Sequence, residues 1–311
     1  MIIAKKPLVS IIIVNYNGGE VLLGCLKSLE KSSPSIAYEV IVVDNCSTDG
    51  SSDSVEQTFP NVLLIRQPQN RGFGAGNNVG AKFAKGEFLF LLNPDTILSE
   101  DILPHLIEIM QQDPSIGIVG PKLLNPDGSL QLSVSPALSI AGEYQARKQA
   151  KSYHLRNKTL FKDIQEVDIV VGAAFFIKKA LFDSIGSFDE NFFMYFEESD
   201  LCRRVQGNGW KIIYTPKVSL IHYKGFSSQE VYKNITVEYR RSQIYYYQKH
   251  RPIWEQIVLR MYLVIKFAFT FLKSPNFTSL KVITLALNFK CYPLKVPNKL
   301  NGGQRVAHPL P

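Results

Sequence analysis

The first hundred residues alternate between short apolar runs and longer segments that carry apolar residues on one helical face. Each run is rich in Val, Ile, Leu and Phe and is bounded by turn residues; the runs are 8–14, 39–43, 62–66 and 87–92. Such runs are typical of buried strands. The helix-like segments between them are 20–31, 51–58 and 74–85. Three repeats of strand and helix predict an α/β fold with a Rossmann-like, mostly parallel sheet flanked by helices and joined by right-handed crossovers.

The pattern is less regular after the fourth run. A helix is predicted at about 100–112, with Ser99 as its N-cap, because a serine oxygen can accept a hydrogen bond from a free N–H group of the first turn. The polar, poorly patterned region 140–165 predicts a mobile loop. A second structured block follows at 167–223 and includes a short strand in "WKIIYTP".

The composition is that of a globular protein with a substantial core, since 45% of the 311 residues are hydrophobic and 20% are charged. The first apolar run is too short to span a bilayer, and no small-residue cleavage site follows it, so we expect a cytoplasmic location. Four cysteines, Cys25, Cys46, Cys202 and Cys291, lack metal-ligand spacing. They predict neither a zinc site nor a disulfide scaffold.

The charge is concentrated near the C-terminus. Residues 240–311 carry 12 Lys and Arg against one acidic residue, Glu255, whereas residues 1–239 carry 23 against 26. A nucleic-acid enzyme would be expected to place basic surface around its cleft. The basic tail therefore needs a partner of its own, and an anionic membrane surface is the one we favour below.

Polar residues follow every predicted strand. The first strand runs into "NYNGG", the second into "DNCSTDGS", the third into "RQPQNRGFGAGNN" and the fourth into "NPDT". Because the carboxyl ends of parallel strands lie along one edge of a sheet, these groups are expected to converge on one crevice. Turn or cap duty is the alternative for any single one of them. The converging residues are Tyr16, Asp44, Asn45, Asn70, Asn77 and Asp95.

These residue types suit a nucleoside diphosphate. The ring of Tyr16 can stack on a base, while Asp44 and Asn45 can pair with base or ribose edges. The glycine-rich "GFGAG" would let backbone N–H groups approach phosphate oxygens, although it matches neither the dinucleotide fingerprint nor a phosphate loop with its Lys. Asp95 offers the hard oxygen ligand that Mg²⁺ or Mn²⁺ prefers.

A second candidate site lies in the acidic and aromatic stretch "FDENFFMYFEESDLCRR", residues 188–204. Glu197, Glu198 and Asp200 crowd three carboxylates at a predicted helix start, where the helix dipole alone would tolerate them. The aromatic neighbours predict a partly dry site, in which a carboxylate can serve as a general base. His222 follows a strand that leads back towards the crevice, although a lone histidine is more often structural.

Together these stretches resemble the inverting nucleotide-sugar glycosyltransferases of family 2, in particular their bacterial rhamnosyltransferase-like branch. Matching segments such as "VSIIIVNYNGGE", "VIVVDNCSTDGS", "FLFLLNPDT" and "MYFEESDLCRR" are spread over most of residues 8–227. The resemblance implies a GT-A fold. It makes 1–120 the nucleotide-sugar-binding half, 121–226 the acceptor-binding and catalytic half, and 227–311 a basic helical extension.

The resemblance also implies roles for single residues. "NPD" takes the place of the family's Asp-X-Asp, so that Asp95 matches the metal-binding carboxylate. "EE" matches a Glu-Asp pair whose second member is the base, which assigns Glu198, with Glu197 and Asp200 as alternatives. His222 matches a histidine that helps some members to bind the metal or the diphosphate. The donor-binding residues so implied are Asn15, Tyr16, Asn17, Asp44, Asn45, Asn70, Gly72, Gly74, Asn77 and Asn93.

The expected activity is inverting transfer of a sugar from a nucleoside-diphosphate donor to the hydroxyl of a lipid-linked or polysaccharide-precursor glycan, with Mg²⁺ or Mn²⁺ offsetting charge on the departing diphosphate. Two alternatives belong to other classes. A catalytically inert nucleotide-sugar-binding subunit would not need a base. A nucleic-acid-binding protein would use the basic tail, but the tail contains no recognised nucleic-acid motif, so no nucleic acid is expected as a partner.

The C-terminal segment 253–273 predicts a helix that lies on the inner membrane surface instead of crossing the bilayer. At 100° per residue, Glu255, Arg260 and Lys266 fall on one polar arc, and the opposite half-turn is apolar or aromatic. An interfacial helix would keep these charges in water. Packing of the same apolar face against the catalytic lobe or against a second subunit is the alternative.

Overall fold

A computed structural model describes residues 6–32, 34–145, 161–223 and 235–289. The first part of the chain alternates strands and helices as the apolar pattern predicts, and every predicted boundary there is met within two residues. In chain order the elements are β1 Val9–Asn15, α1 Gly19–Ser32, β2 Tyr38–Asp44, α2 Ser51–Thr58, β3 Leu63–Arg66, α3 Phe73–Phe83 and β4 Phe88–Leu92.

The remaining elements complete the sheet and then form a helical extension. They are β5 Thr96–Leu98, α4 Leu103–Gln112, β6 Ile116–Leu124, β7 Leu130–Gln131, β8 Val134–Ser135, β9 Gln165–Glu166, β10 Ile169–Val170, β11 Ala174–Lys178, α5 Lys179–Ser184, α6 Glu197–Gly207, β12 Lys211–His222, α7 Ile235–His250, α8 Ile253–Lys273 and α9 Phe277–Leu287. The predicted strand in "WKIIYTP" is the first part of the longer β12.

The main sheet has the strand order β3-β2-β1-β4-β11-β6-β12-β5, and β8 and β10 form a separate antiparallel pair. Strands β3, β2, β1 and β4 are parallel, whereas β11 runs antiparallel between β4 and β6. In this register Asn15 lies opposite Asp44, and Ile13 lies opposite Leu92. The three strands β1, β2 and β4 therefore end side by side, which builds one polar edge from three separate stretches of sequence.

The sheet is buried on both faces. Ile11 and Ile13 of β1 point into a core that includes Leu22 of α1, whereas Ile12 points into a second core with Ala81 of α3. Alternate side chains of a strand point to opposite faces. A strand covered by helices on both sides must then be apolar at every position, which is why β1 reads as one uninterrupted apolar run.

Two local predictions were wrong. Helix α4 begins at Leu103, because Thr96–Leu98 form strand β5 beside β12, and the side chain that accepts the Leu103 N–H is Asp101 (3.2 Å) and not Ser99. Residues 140–145 are helical although a loop was predicted from 140. The central part of that predicted loop, 146–160, lies outside the described residues.

The C-terminal helices share a third core with the acidic and aromatic stretch. Phe192 and Phe196 pack there with Tyr246 of α7 and Leu263 of α8. Arg260 joins α8 to α9, since its Nη1 donates to the carbonyl oxygens of Ala286 and Asn288, each at 2.8 Å. The extension is therefore packed onto the segment that precedes α6.

Helix α8 turns Glu255 and Arg260 towards the protein, contrary to the expectation that its whole polar arc faces water, whereas Lys266 of the same arc is exposed. Glu255 and Arg260 are each 3% exposed, because Glu255 pairs with Arg251 and Arg260 caps α9. The apolar face is left uncovered instead. Its exposed residues are Ile253, Trp254, Ile257, Val258, Met261, Tyr262, Ile265, Phe269 and Leu272. Among the described helices, none combines the length and hydropathy that crossing a bilayer requires.

Asp200 fastens the extension to α6. Its carboxylate is fully buried and accepts hydrogen bonds from Arg204 (2.8 Å) and His250 (2.6 Å), with Lys249 at 2.7 Å. Burial alone would raise the pKa of this carboxyl. The His250 hydrogen bond and the charges of Arg204 and Lys249 outweigh burial and lower the pKa to about 2.

We predict that Asp200→Asn lowers the free energy of unfolding by about 3 kcal/mol, because it leaves the cations around residue 200 without their shared carboxylate. Asp183→Asn is the matched control, since Asp183 forms an exposed pair with Lys179, and its effect should stay below about 0.5 kcal/mol. Because the pKa of Asp200 is lower in the folded state, its contribution is complete above the ordinary value of 3.8 and is lost as the pH falls towards 2. Urea unfolding of both variants across this range is the measurement; equal effects of the two substitutions would contradict the anchoring role.

Candidate active site

Asn15 organises the edge at which β1 and β2 end. Its side chain is fully buried, and its Nδ2 lies 3.0 Å from Asp44 Oδ1, 3.0 Å from Ser47 Oγ and 2.9 Å from Ser51 Oγ. Its Oδ1 accepts the N–H of Gly18. With both ends of the amide engaged, Asn15 fixes the loops that follow β1 and β2, and it is not placed to contact a ligand directly.

Three further residues of these loops differ in what their side chains contact. Asn17 lies in the left-handed region (φ 52°), and its Oδ1 accepts from Thr48 N at 2.8 Å, so it joins the same two loops. Asn70 accepts the N–H of Gly72 at 2.9 Å and shapes the entry to α3. Tyr16, directly after β1, is half-buried beside them.

The glycine-rich segment brings α3 close to the sheet and to residues 188–193. Gly72 has φ +91°, and a Cβ built on it would lie 1.9 Å from the carbonyl oxygen of Phe193. A Cβ at Gly76 would lie 2.6 Å from Val14 of β1. The Gly72 N–H is already used by Asn70, so Gly72 is not free to donate to a phosphate, and a Cβ on Gly74 would touch Phe188 at 3.0 Å. Close packing is therefore one reason for these glycines, and a phosphate contact of the other N–H groups in the first turn of α3 stays a prediction.

Buried acceptor oxygens gather where these loops meet. Asn45 donates through Nδ2 to Gly72 O (2.9 Å), and Asn77 donates through Nδ2 to Phe73 O (3.0 Å). The Oδ1 atoms of both amides are buried and have no hydrogen-bond partner among the described residues, and the same holds for Asp95 Oδ1 and Glu197 Oε2. Leaving a buried acceptor unpaired costs about 1–3 kcal/mol. A ligand with several N–H and O–H donors would remove that cost.

Asp95 and His222 meet at the ends of β4 and β12. Asp95 is 1% exposed, and its Oδ1 lies 3.3 Å from His222 Nε2. Asn93 Nδ2 lies 3.4 Å from the same ring nitrogen. The sequence expectation that His222 returns to the crevice is met by this geometry.

Gln131, which sequence reasoning missed, fixes the tautomer of His222. Its Nε2 donates to Asn125 Oδ1 (2.9 Å) and to the carbonyl oxygen of His222 (3.1 Å), so its Oε1 must be the atom 2.6 Å from His222 Nδ1. Nδ1 then carries the proton, and a neutral ring presents the lone pair of Nε2 to Asp95. Asp95 Oδ1 and an unprotonated His222 Nε2 would repel each other at 3.3 Å. Either a cation between the two atoms or a second ring proton on Nε2 would stabilise them.

This pair fits a divalent cation whose other ligands come from the substrate. In an octahedral site with ligands about 2.1 Å from the ion, adjacent ligands lie roughly 3.0 Å apart, close to the Asp95–His222 separation. Within the described ranges no group of three or more His, Cys, Asp or Glu side chains could hold a metal ion. Mg²⁺-type sites commonly use one or two protein ligands together with phosphate oxygens and water.

Glu197 and Glu198 occupy the first turn of α6, on the other side of the crevice. Cβ of Glu197 would lie 3.7 Å from a Cβ at Gly74, in the first turn of α3. Cβ of Glu198 would lie 3.7 Å from a Cβ at Gly172. The next residue, Ala173, accepts the N–H of Asn93, so the carboxylate pair and the Asp95–His222 pair border one space.

The two glutamates share a raised pKa but differ in their burial. Burial raises the pKa of Glu197 well above its usual value, and the charge of Glu198 raises it further. Burial also raises the pKa of Glu198. Glu197 is the more buried side chain, whereas Glu198 is half-buried. Glu198 is therefore the carboxylate that a substrate can reach.

A strained turn presents these carboxylates. Tyr195 and Phe196 both have positive φ (66° and 71°), a conformation that costs a non-glycine residue roughly 1–2 kcal/mol. The C-terminal helix α7 holds the turn: Ser242 Oγ donates to Met194 O at 2.7 Å, and the ring of Tyr239 packs on Phe196 at 5.0 Å. Strain of this kind persists only where the surroundings enforce it.

The contacts bring Asn93, Asp95 and His222 together and place Glu197 and Glu198 beside Gly74 and Gly172. Asp44 and Asn45 lie at the end of β2, and Asn77 lies on α3; that all of them line one crevice stays a prediction. Asp200, which the sequence offered as an alternative base, faces Arg204, Lys249 and His250 on the far side of α6. No motif in the sequence singled out Gln131, which lies on the two-residue strand β7. Nothing in the sequence linked Lys249 or His250 to α6.

Comparison with known proteins identifies close relatives in sequence. The family model for Glycosyl transferase family 2 matches residues 10–186, which is more than half of the chain. The N-acetylglucosaminyl-diphospho-decaprenol L-rhamnosyltransferase of Mycobacterium tuberculosis is 25% identical over 82% of this chain and 92% of its own length. The low-salt glycan biosynthesis hexosyltransferase Agl10 of Haloferax volcanii is 28% identical over 68% of this chain and 66% of its own.

Solved structures share the architecture. A mannosyltransferase from Pyrobaculum calidifontis, in complex with GDP-Man and Mn²⁺, matches 90% of this chain and 69% of its own with a TM-score of 0.52 and 20% identity. GalNAc-T7 with UDP, GalNAc and Mn²⁺ matches 78% of this chain and 50% of its own, with a TM-score of 0.56 and 17% identity. Because these two proteins are only 20% and 17% identical to this chain, the similarity shows a shared fold and nothing about substrate.

Proposed function

The chain belongs to glycosyl transferase family 2 and has a GT-A fold, and from this premise we propose that it transfers a hexose or deoxyhexose with inversion, from a nucleoside-diphosphate donor to a hydroxyl of a lipid-linked glycan. The observation that carries the proposal is the meeting of unpaired buried acceptors at the strand ends with a half-buried carboxylate on α6. The first set suits the donor, and the second suits the acceptor hydroxyl. The Mycobacterium tuberculosis relative supports the acceptor class through its diphospho-decaprenol substrate.

The nucleoside lies against the loops that Asn15 fixes. The ring of Tyr16 stacks on the base, and Asp44 and the free Oδ1 of Asn45 accept hydrogen bonds from base or ribose. Asn77 Oδ1 offers a further buried acceptor at the start of α3. Each donor group that reaches one of these oxygens removes the cost of leaving it unpaired.

Glu198 acts as the base. It takes the proton of the acceptor hydroxyl as that oxygen attacks the anomeric carbon, and the bond between the anomeric carbon and the diphosphate breaks on the opposite face. Attack opposite to the leaving group inverts the anomeric configuration. We assign the proton of the pair to Glu197, since burial raises the pKa of this carboxyl well above its usual value, so only one negative charge has to be accommodated in the first turn of α6.

Asp95 and His222 would hold a divalent ion, either Mg²⁺ or Mn²⁺. Such an ion, when bound, offsets the charge that develops on the departing diphosphate. Gln131 holds one ring proton of His222 on Nδ1, so that Nε2 is the nitrogen that faces Asp95, and Asn93 packs beside this nitrogen. The inert-subunit alternative has no use for this ligand pair or for Glu198.

Glu198→Gln should lower turnover by about 10²-fold or more, the usual contribution of a general base, while donor affinity persists. Glu197→Gln is the matched control, since Gln resembles the protonated carboxyl that we assign to Glu197, and it should keep most of the activity. Steady-state release of nucleoside diphosphate measures both variants. An inactive Glu197→Gln together with an active Glu198→Gln would reverse the two roles.

The pH profile should show an acid limb above the ordinary glutamate value of 4.5, because burial raises the pKa of Glu198 and only the deprotonated form accepts the proton. Activity is therefore lost as the pH falls through this raised pKa. Substrate-saturated rates between pH 4 and 8 measure the limb. A flat profile down to 4.5 would contradict the assignment of Glu198.

Asp95→Asn should abolish metal-dependent binding of nucleoside diphosphate, since no second carboxylate stands beside it in "LLNPDT". Gln131→Met should weaken Mn²⁺ affinity by about 10- to 100-fold, because residues that orient a ligating histidine typically contribute this much. Electron paramagnetic resonance of free Mn²⁺, with UDP, GDP and dTDP in turn, gives the affinities without reference to turnover. A wild-type affinity of Asp95→Asn for Mn²⁺ would show that Asp95 does not bind the metal.

We also place the protein at a membrane surface. The exposed face of α8 presents a stripe of apolar and aromatic residues, and its other face is anchored by Leu259, Leu263 and Phe267. A lipid-linked acceptor would be met at such a surface. The electrostatic attraction is smaller than the sequence suggested, because Lys249, Arg251 and Arg260 are engaged within the protein.

Met261→Glu/Ile265→Glu should abolish sedimentation with phosphatidylglycerol-containing vesicles, because both side chains are more than half exposed and lie in the middle of the stripe. Phe83→Glu on α3 is the control, since Phe83 is 52% exposed but lies outside the stripe. Both proteins should remain folded. Unchanged vesicle binding of the double variant, or its conversion from dimer to monomer, would assign the stripe to something other than lipid.

A further inference from the structure

A separate cleft of about 500 Å³ opens between α8 and the segment that follows β8. Its lining residues are Ser135, Leu138, Glu143, Tyr239, Arg240, Tyr262 and Lys266. The cleft shares a wall with the active site, since the Tyr239 ring packs on Tyr195 at 5.4 Å and on Phe196 at 5.0 Å, directly before Glu197. A ligand in the cleft therefore lies beside the acceptor side of the carboxylate pair.

Two cations of the cleft have no carboxylate partner within the described part of the chain. Lys266 is exposed and contacts only the rings of Tyr262 (5.7 Å) and Phe267 (5.8 Å). Arg240 donates through Nη1 to Gln243 at 2.6 Å, but its Nε is buried and finds no acceptor among the residues described. A buried guanidinium N–H without an acceptor is costly, and an anionic oxygen is its natural partner.

The lining contains one acidic residue, Glu143, against these two cations. Glu143 accepts hydrogen bonds on Oε1 from Gln243 Nε2 (2.7 Å) and from Tyr247 Oη (2.8 Å). These contacts direct that oxygen to α7. The cleft thus keeps an excess of positive charge together with the hydroxyl group of Ser135.

The outer border of the cleft adjoins the apolar stripe of α8. Tyr262 and Lys266 lie on the edge of the exposed face that Met261, Ile265 and Phe269 continue, because residues three and four apart are neighbours on a helix. One end of the cleft therefore meets apolar surface and the other meets the catalytic turn. A ligand with a lipid chain, an anionic group and a sugar in that order would match the apolar stripe, the cationic cleft and the catalytic turn.

We propose that the cleft binds the phosphate groups of a lipid-phosphate-linked acceptor. Arg240 and Lys266 contact the phosphate oxygens, the lipid chain leaves along the stripe of α8, and the acceptor sugar extends past Tyr239 towards Glu198. This assignment rests on the proposed function and adds to it a recognition site for the acceptor. It also explains why an exposed apolar helix is packed next to the catalytic turn.

Binding of octyl diphosphate, followed by calorimetry in the presence of EDTA, tests the assignment. EDTA prevents any ion at Asp95 from holding the probe in the donor site. Arg240→Gln and Lys266→Gln should each weaken binding by about tenfold, the effect of losing one hydrogen bond to a charged group. Lys273→Gln is the matched control, because Lys273 is an exposed lysine of α8 outside the cleft, and it should bind as the wild type does. Arg240→Lys, which keeps the charge, covers the case in which Arg240→Gln does not fold.

Two further probes identify the source of the phosphate. Octyl glucoside has no phosphate and should not bind in the cleft, and dihexanoyl phosphatidylglycerol should bind at least tenfold more weakly than octyl diphosphate. Equal affinity for the phospholipid, or equal octyl diphosphate affinity in all variants, overturns the proposal. Binding of nucleotide sugars in the donor site, measured separately, tests the proposed function and does not depend on this cleft.

Discussion

The amide of Asn15 is the contact on which the rest of the site depends. It is fully buried where β1 ends, and it holds Asp44 at the end of β2, Ser47 in the loop beyond and Ser51 at the start of α2. Parallel pairing fixes the positions of the strand ends relative to one another. It does not fix the loops that follow the strands. By fixing these loops in a dry environment, Asn15 makes the unpaired oxygen of Asn45 a preformed acceptor instead of a mobile one.

The acceptor half is held by a different kind of constraint. Tyr195 and Phe196 keep a costly left-handed conformation because Ser242 and Tyr239 of α7 enforce it from behind. Asp200 adds the ionic contact that joins α6 to the end of α7. The C-terminal extension therefore has two effects on one structure: it holds the base in place, and it carries the apolar stripe that we assign to the membrane.

Much of the architecture could be predicted from the sequence, since a strand covered on both faces must be apolar throughout and β1 and β4 show this directly. The convergence of Asp44, Asn45 and Asp95 followed from parallel topology alone. The roles of polar residues within the crevice did not follow, because an asparagine at a strand end can bind a ligand or clamp two loops. Asn15 is a clamp, and only its three-dimensional partners show it.

Pattern reasoning also gave the amphipathic character of α8 but the wrong environment for its charges. Arg260 is satisfied by carbonyl groups at the end of α9, and a helical wheel contains no information about such distant acceptors. The same limit hid Gln131, whose value lies in donating to two acceptors while accepting from His222. Residues that act through tertiary partners are the ones that a single sequence does not reveal.

The anomeric configuration of the first-formed product tests the central claim most directly. A single base, Glu198, acting opposite to the departing diphosphate leads to one displacement, so a donor of known configuration should give the opposite anomer. Proton NMR of the product, recorded before the free sugar equilibrates, reads the configuration from the coupling constant of the anomeric proton. Inversion is the predicted result, and retention of configuration would contradict the account.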